Sequence, residues 1–285
     1  MIIDRIVNLL ATITLFEMMV TIGLGVKLAE VLGVAGDWRT VARAGLANYV
    51  IVPSAAVALL LLFHAAPLVA AGFLIAAVCP GAPYGPPFTG IAKGNVALSV
   101  GLMIMLAGSS ALLAPMLLRL LLPVTSGDSP VQVDLAKMIE TLLGAQLLPL
   151  CAGLLIRHRW PPLADRLQKP GRVLSLLLNV AVLGTILAVQ FDTLIAIPPR
   201  AFGGMTALVF AGVATGWLLG GPNRADRLAM AMATSVRNVA VTLVIAMASF
   251  PGTPAIVAAT AFGLFQTILV ALVAVAWGRF GPPAK

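Results

Sequence analysis

Charge is what this sequence has least of. Asp, Glu, Lys and Arg make up 10% of its 285 residues, where a soluble domain carries about 25%. The polar linkers are too short to hold a soluble domain. There are two cysteines, Cys79 and Cys151, both in apolar segments; they offer neither a disulfide framework nor a metal-binding spacing. The two histidines, His64 and His158, lie at the ends of apolar segments beside other polar residues and read as interfacial. No nucleophile–base pair, paired carboxylates or phosphate loop is visible. The glycines of "GLGVKLAEVLG" follow a helical segment and not a strand, so they fail the context that a nucleotide loop needs. An enzyme is not expected, nor is a cofactor.

What the sequence has is long apolar runs, in a composition that is 60% hydrophobic. Nine of them recur, at 6–26, 44–63, 68–92, 96–118, 135–156, 173–189, 201–219, 228–249 and 254–277. Each can cross a hydrocarbon core of about 30 Å. The first lacks a basic leading region and a small-residue cleavage site, so it reads as a span and not a signal peptide. Backbone groups in lipid must be satisfied within each segment, which predicts an all-α membrane bundle of nine transmembrane helices. The net charge of +8 raises nucleic acid as a partner, but its distribution points to a bilayer. Thirteen of the eighteen basic residues fall in loops on the side of the C-terminus, among them Arg157, Arg159, Arg166, Lys169 and Arg172. Four fall on the other side (Arg5, Arg119, Lys137, Arg200), and the eighteenth, Arg237, lies inside a span. The positive-inside rule then places the C-terminus in the cytoplasm and the N-terminus outside, in the cell membrane.

Two spans are interrupted. The third contains "CPGAPYGPPFTG", with Pro80, Pro83, Pro86 and Pro87 and glycines between them. A simple proline kink needs one proline; four in eight residues predict a break. Pro86 and Pro87 suit the first turn of a new half-helix, whose free N–H groups and positive dipole end would face the bilayer centre. The eighth span, "LAMAMATSVRNVAVTLVIAMAS", has a polar cluster at its middle: Thr234, Ser235, Arg237, Asn238 and Thr242. Interrupted segments at matching places in two halves are a sequence pointer to a transporter's binding site.

Arg237 lies nine residues into its span, roughly 14 Å deep at 1.5 Å per residue. Two readings are open: a structural arginine satisfied by carbonyls, or a fixed cation that binds an anionic substrate group. Glu17 is the other midplane charge and shares a helical face with Thr14 and Thr21. It could pair with Arg237, carry a proton, or be neutral and hydrogen-bonded. Glu140, nearer a span end, reads as interfacial.

"CPGAPYGPPFTGIAKGNVALSVGLM" resembles the bile acid:sodium symporter family, whose members read CPGG-T-A-S-N and then a G-D/N-x-A-L-S-V run. "TSVRNVAVTLVIA" is similar to the family's E-x-G-x-Q-N-x-x-L-A segment, and "GLGVKLAEV" and "ANYVIVP" to its G-L-x-L and Q-Y-x-x-M-P. The resemblance implies an inverted-repeat transporter with two crossed discontinuous helices, repeat one at about 1–122 and repeat two at about 135–285. It implies a core of spans two to four and seven to nine, and a panel of spans one, five and six that moves against it. It also implies a sodium-coupled organic anion as cargo.

At the family's sodium positions the sequence departs. Gly85 and Pro86 stand for Ser and Asn, Ala233 for Glu, Arg237 for Gln and Met103 for Thr. Ser99 and Asn238 remain, and Asn48 stands where Gln is usual. A hard cation wants several oxygens and usually a carboxylate, so sodium coupling is in doubt and Arg237 is expected to replace the ion electrostatically. The expected substrate site is Arg237, Asn238, Thr234, Ser235, Pro86, Pro87, Phe88 and Thr89, with Glu17, Ser99 and Asn48 as coupling candidates. The expected function is secondary transport, or facilitated passage, of a small organic anion. An arsenite-type efflux carrier, supported by Cys79, and a non-transporting membrane sensor are the alternatives. The oligomeric state stays open.

Overall fold

The computed structural model describes residues 2–126, 133–189, 191 and 197–281. Lys285, which ends the expected second repeat, lies outside them. The described residues are helical with short connections. In chain order the helices are α1 (Ile2–Leu24), α2 (Leu28–Gly36), α3 (Trp38–Leu46), α4 (Val52–Leu62), α5 (Pro67–Ala77), α6 (Gly85–Ile91) and α7 (Val96–Ser126). Then follow α8 (Leu135–Leu142), α9 (Leu148–Arg159), α10 (Pro161–Val189), α11 (Pro199–Leu219), α12 (Arg224–Ser235), α13 (Val239–Ser249) and α14 (Pro254–Phe280).

Eight stretches are long and apolar enough to cross a membrane, and the ninth expected span is the broken one, α5 and α6. The chain is an all-α, multi-pass membrane protein. Its lipid-facing surface is a skin of exposed Leu, Val and Ile, densest on α10 at Val173, Leu174, Leu176, Leu177 and Val180.

Two expected linkers are helices instead. The basic stretch 157–172 is mostly the first three turns of α10, and the turn before it shrinks to Trp160. Pro161 and Pro162 open the helix, where a missing N–H costs nothing. Pro170 sits inside it and removes one ladder bond. The stretch after α1 folds as α2 and packs on α7, where Gly101 makes room for Val34.

Both π turns have a local cause. Helices α3 and α4 are joined by a π turn at Ala47–Ile51, and α8 and α9 by another at Leu143–Leu147. Each lies just before a proline, Pro53 or Pro149. A proline crowds the carbonyl four residues back, here that of Tyr49 or Ala145. Widening the turn moves that carbonyl aside. Each π turn also carries one wholly buried amide side chain, Asn48 or Gln146. Gln146 reaches across to α7, donating to the carbonyl of Ala107 and to Ser110 Oγ at 2.9 Å.

The buried centre is α5, α12 and α13. Every residue of α5 from Ala70 to Ala77 is buried, as is every residue of α12 from Leu228 to Ser235. Helix α1 packs on α9 and α10 instead. Its contact with α9 is backbone to backbone: a Cβ on Gly153 would lie 2.3 Å from Val20 O, and one on Gly23 2.5 Å from Leu150 O. Small residues that let helices approach this closely replace the hydrophobic drive that lipid cannot supply.

Candidate functional site: two broken helices and the crevice beside them

The two interruptions expected from sequence meet. Helix α5 ends at Ala77 and α6 begins at Gly85; α12 ends at Ser235 and α13 begins at Val239. The Asn238 amide donates to Cys79 O at 2.8 Å, and Asn238 Nδ2 to Gly81 O at 3.4 Å. Gly81 has φ +84°, and a Cβ there would lie 2.3 Å from the backbone nitrogen of Ala107 in α7. Glycine is therefore needed both for the backbone conformation and for the fit. Gln266 of α14 holds the second break as a backbone partner would. Its Oε1 accepts from the Arg237 amide at 3.0 Å, and its Nε2 donates to Arg237 O at 2.9 Å.

Arg237 is 1% exposed. One arm of its guanidinium donates to Ala77 O at 3.3 Å and another to Thr234 O. These are carbonyls in the last turns of α5 and α12. A helix C-terminus carries roughly half a negative charge, so two of them aimed at one point demand a cation. The guanidinium supplies it. The competing roles left open by the sequence are resolved in placement: the side chain is satisfied by carbonyls and turned into the protein.

The other expected residues fall into two groups around this point. Asn238 Oδ1 accepts from the Val241 amide and caps α13, and Thr242 Oγ1 donates to Asn238 O. Ser235 Oγ donates back to Met232 O. Asn48 Nδ2 donates to Ala44 O at 3.0 Å and to Thr234 Oγ1 at 3.3 Å, while its buried Oδ1 has no partner. Thr89 Oγ1 lies within hydrogen-bonding distance of Gly85 O and Ser99 Oγ. A Cβ on Gly85 would sit 3.8 Å from both Ser99 Oγ and Ala233 Cα. Gly85, Ser99 and Ala233, far apart in sequence, thus surround one spot beside the breaks.

A crevice of about 620 Å³ separates α1 and α10 from α6, α7 and the first break. Met18, Thr21, Ile22, Gly25 and Val26 line it from α1, and Val96, Val100 and Met103 from α7. Pro83, Tyr84, Pro86 and Pro87 form its floor, with Tyr84 stacked on Phe88 behind it. A smaller pocket of about 130 Å³ continues from it past Met18, Tyr84 and Asn179 to Asn238, Val239 and Ala240. Both breaks therefore face the same space. Of the expected substrate residues, Pro86, Pro87 and Asn238 line it; Arg237, Thr234, Ser235, Phe88 and Thr89 do not. Glu17 stands behind the wall. Thr21 Oγ1 donates to its Oε1 at 2.7 Å and Ser175 Oγ to its Oε2 at 2.6 Å. Of its open readings the ion pair with Arg237 is thereby removed.

Sequence reasoning missed the opposite wall. Gln168, Arg172, Ser175 and Asn179 of α10 line the crevice. Their spacing of four, three and four is one face of a helix. The polar stripe was readable in "LQKPGRVLSLLLN", but only if 157–172 is helix and not loop.

A sequence model of the sodium bile acid symporter family matches residues 12–197. The chain belongs to that family. Its motif resemblance and its helical, membrane-spanning fold agree with this, and it is a transporter of the family. Among its relatives, the hepatic sodium/bile acid cotransporter of Rattus norvegicus is 23% identical over 253 residues, 87% of this chain and 70% of the relative. The uncharacterized protein YbaS of Bacillus subtilis is 26% identical over 231 residues, 77% of this chain and 72% of the relative. A probable sodium/metabolite cotransporter, BASS2, of rice chloroplasts is 27% identical over 170 residues, 60% of this chain and 39% of the relative. In this family member the second break, at 236–238, lies beyond the matched segment.

Proposed function

We propose that this chain moves a small organic anion across the cell membrane by alternating access, with Arg237 as a resident cation and no co-transported sodium. The observation that carries the proposal is the guanidinium seated between the C-terminal carbonyls of α5 and α12. Relatives are named for sodium dependence, so sodium here would be cargo. The donor set does not fit it. The helix-end carbonyls are taken by Arg237; Ala233 and Gly85 bring no side-chain oxygen; Met103 brings only a thioether.

The moving parts in this reading are a panel of α1, α8–α9 and α10 and a core holding the breaks, arranged as two repeats at about 1–122 and 135–285. The substrate occupies the crevice between them. With the N-terminus outside, the end of α1 at Gly25 and Val26 is cytoplasmic, so the crevice opens inward while α1 meets α13 farther out. The arsenite alternative loses its support, since Cys79 is wholly buried and lines neither cavity.

The test is anion binding to purified protein, read as thermal stabilisation, with sodium exchanged for potassium or choline at constant ionic strength. Binding should not change. Affinity that rises steeply with sodium would mean that Ser99, Asn48 and Asn238 still assemble an ion site. Flux of the same anion into proteoliposomes separates a carrier from a sensor, which would bind without moving it.

A further inference from the structure

Resting on the organic-anion reading, we infer that Arg172, and not Arg237, recognises the substrate's charge, and that the substrate is an amphipathic monoanion with a second hydrogen-bonding group about 10 Å from that charge. The argument begins with what Arg237 cannot do. Its guanidinium is 1% exposed, engaged by two carbonyls, and absent from the lining of the crevice and its extension. The crevice has one lining cation, Arg172. Among the described residues no carboxylate or carbonyl pairs with it, so its fork of donors is free for a ligand.

The neighbours of Arg172 define what else the ligand must be. Gln168 stands one turn toward the mouth, its amide over Gly25. Asn179 stands seven residues deeper, roughly 10 Å along the axis at 1.5 Å per residue. It lines both the crevice and the smaller pocket. Its Nδ2 is committed to Ser175 O, which leaves its Oδ1 to accept from a ligand hydroxyl or amide. The facing wall, Met18, Val100 and Met103, offers no hydrogen bond beyond weak sulfur contacts. One wall thus fixes two polar groups at a set separation and the other takes an apolar body. A compact dianion such as sulfate or a dicarboxylate would leave the depth of the crevice unfilled and meet a single cation.

The experiment uses the full chain in lipid nanodiscs and three probes: decanoate, ω-hydroxydecanoate and 1-decanol. Thermal stabilisation across a concentration series gives the relative affinities. The wild type should prefer ω-hydroxydecanoate to decanoate, and decanoate to decanol. Arg172→Gln should weaken decanoate roughly tenfold, the lower end expected for a charged hydrogen bond, because the site is partly solvated. It should also erase the preference over decanol. Arg172→Lys should recover part of the loss, since a point charge remains without the fork. Asn179→Leu should remove the advantage of the hydroxyl and keep that of the charge. The unliganded unfolding midpoint of each variant, if unchanged, shows that the fold is kept. If Arg172→Gln discriminates decanoate from decanol as the wild type does, the inference is overturned and the organic-anion reading stands. If the wild type itself fails to prefer either anion to decanol, that reading falls and this inference falls with it.

Discussion

Replacing Arg237 with alanine should turn a sodium-indifferent protein into a sodium-binding one. The substitution leaves the second break itself in place, because Gln266 holds the backbone amide and carbonyl of residue 237 and not its side chain. What is lost is the guanidinium on Ala77 O and Thr234 O. Two charge-assisted hydrogen bonds are worth about 1.5–3 kcal/mol each. Against this stands the relief of about 2.5–3.5 kcal/mol for no longer holding an arginine at mid-membrane. The first effect wins by a modest margin, and the two helix-end carbonyls are left buried without a partner. A net loss of about 2–3 kcal/mol follows, on the order of 4–12 °C in the unfolding midpoint for a chain of this size. Two converging half-charges and a vacated side-chain volume then make a place for a small cation. Sodium at a hundred times its dissociation constant would return about 2.7 kcal/mol. The assay is thermal unfolding in sodium, potassium and choline chloride at fixed ionic strength. The variant should be raised by sodium and not by choline, and the wild type by neither. A wild type that sodium raises as much as the variant, or a variant indifferent to all three salts, would refute the idea that the guanidinium occupies an ion's place.

Three further outcomes are expected. Glu17→Gln should flatten the dependence of anion transport on pH in proteoliposomes across the neutral range; an unchanged profile would leave Glu17 as a link between α1 and α10 through Ser175. Gly153→Val should cost about 1–3 kcal/mol of stability, because its Cβ would enter the 2.3 Å gap to Val20 O; an unaltered unfolding midpoint would deny the close packing of α1 on α9. A single cysteine at position 166 or 169 should react with a membrane-impermeant reagent only in opened cells, and labelling in intact cells would reverse the assigned orientation.

The sequence shows its architecture more openly than its site. Apolar runs separated by short linkers announce membrane helices because lipid leaves a chain few alternatives. The prolines between Cys79 and Pro87 announce a break for the same reason. The meeting of Gly85, Ser99 and Ala233 could be anticipated only through family motifs, since three residues on three helices have no local signature. Arg237 was visible as an intramembrane charge, but its direction was not. A side chain near a break can point to the cavity or to the carbonyl ends, and the choice depends on where α5 stops relative to α12. The stripe from Gln168 to Asn179 was hidden by a plausible error. Pro170 and a cluster of basic residues look like a loop, yet Pro161 starts a helix that continues through both. The π turns left only a faint mark, the prolines at 53 and 149.

A cation that cannot leave changes the thermodynamics of what the carrier can do. Arg237 returns with the empty protein, so in this mechanism no ion gradient enters the cycle and each turnover moves one net negative charge. A potential of 100 mV, negative inside, acts on that charge with about 2.3 kcal/mol, a ratio of roughly fiftyfold at equilibrium. The anion would be driven outward until its external concentration exceeded the internal one by that factor. Entry against the voltage would require a proton to travel with each anion and cancel its charge, and the carboxylate behind Ser175 and Thr21 is the group placed to carry one. Whether the molecule fills the cell or empties it therefore turns on one proton at Glu17, with the voltage setting the default.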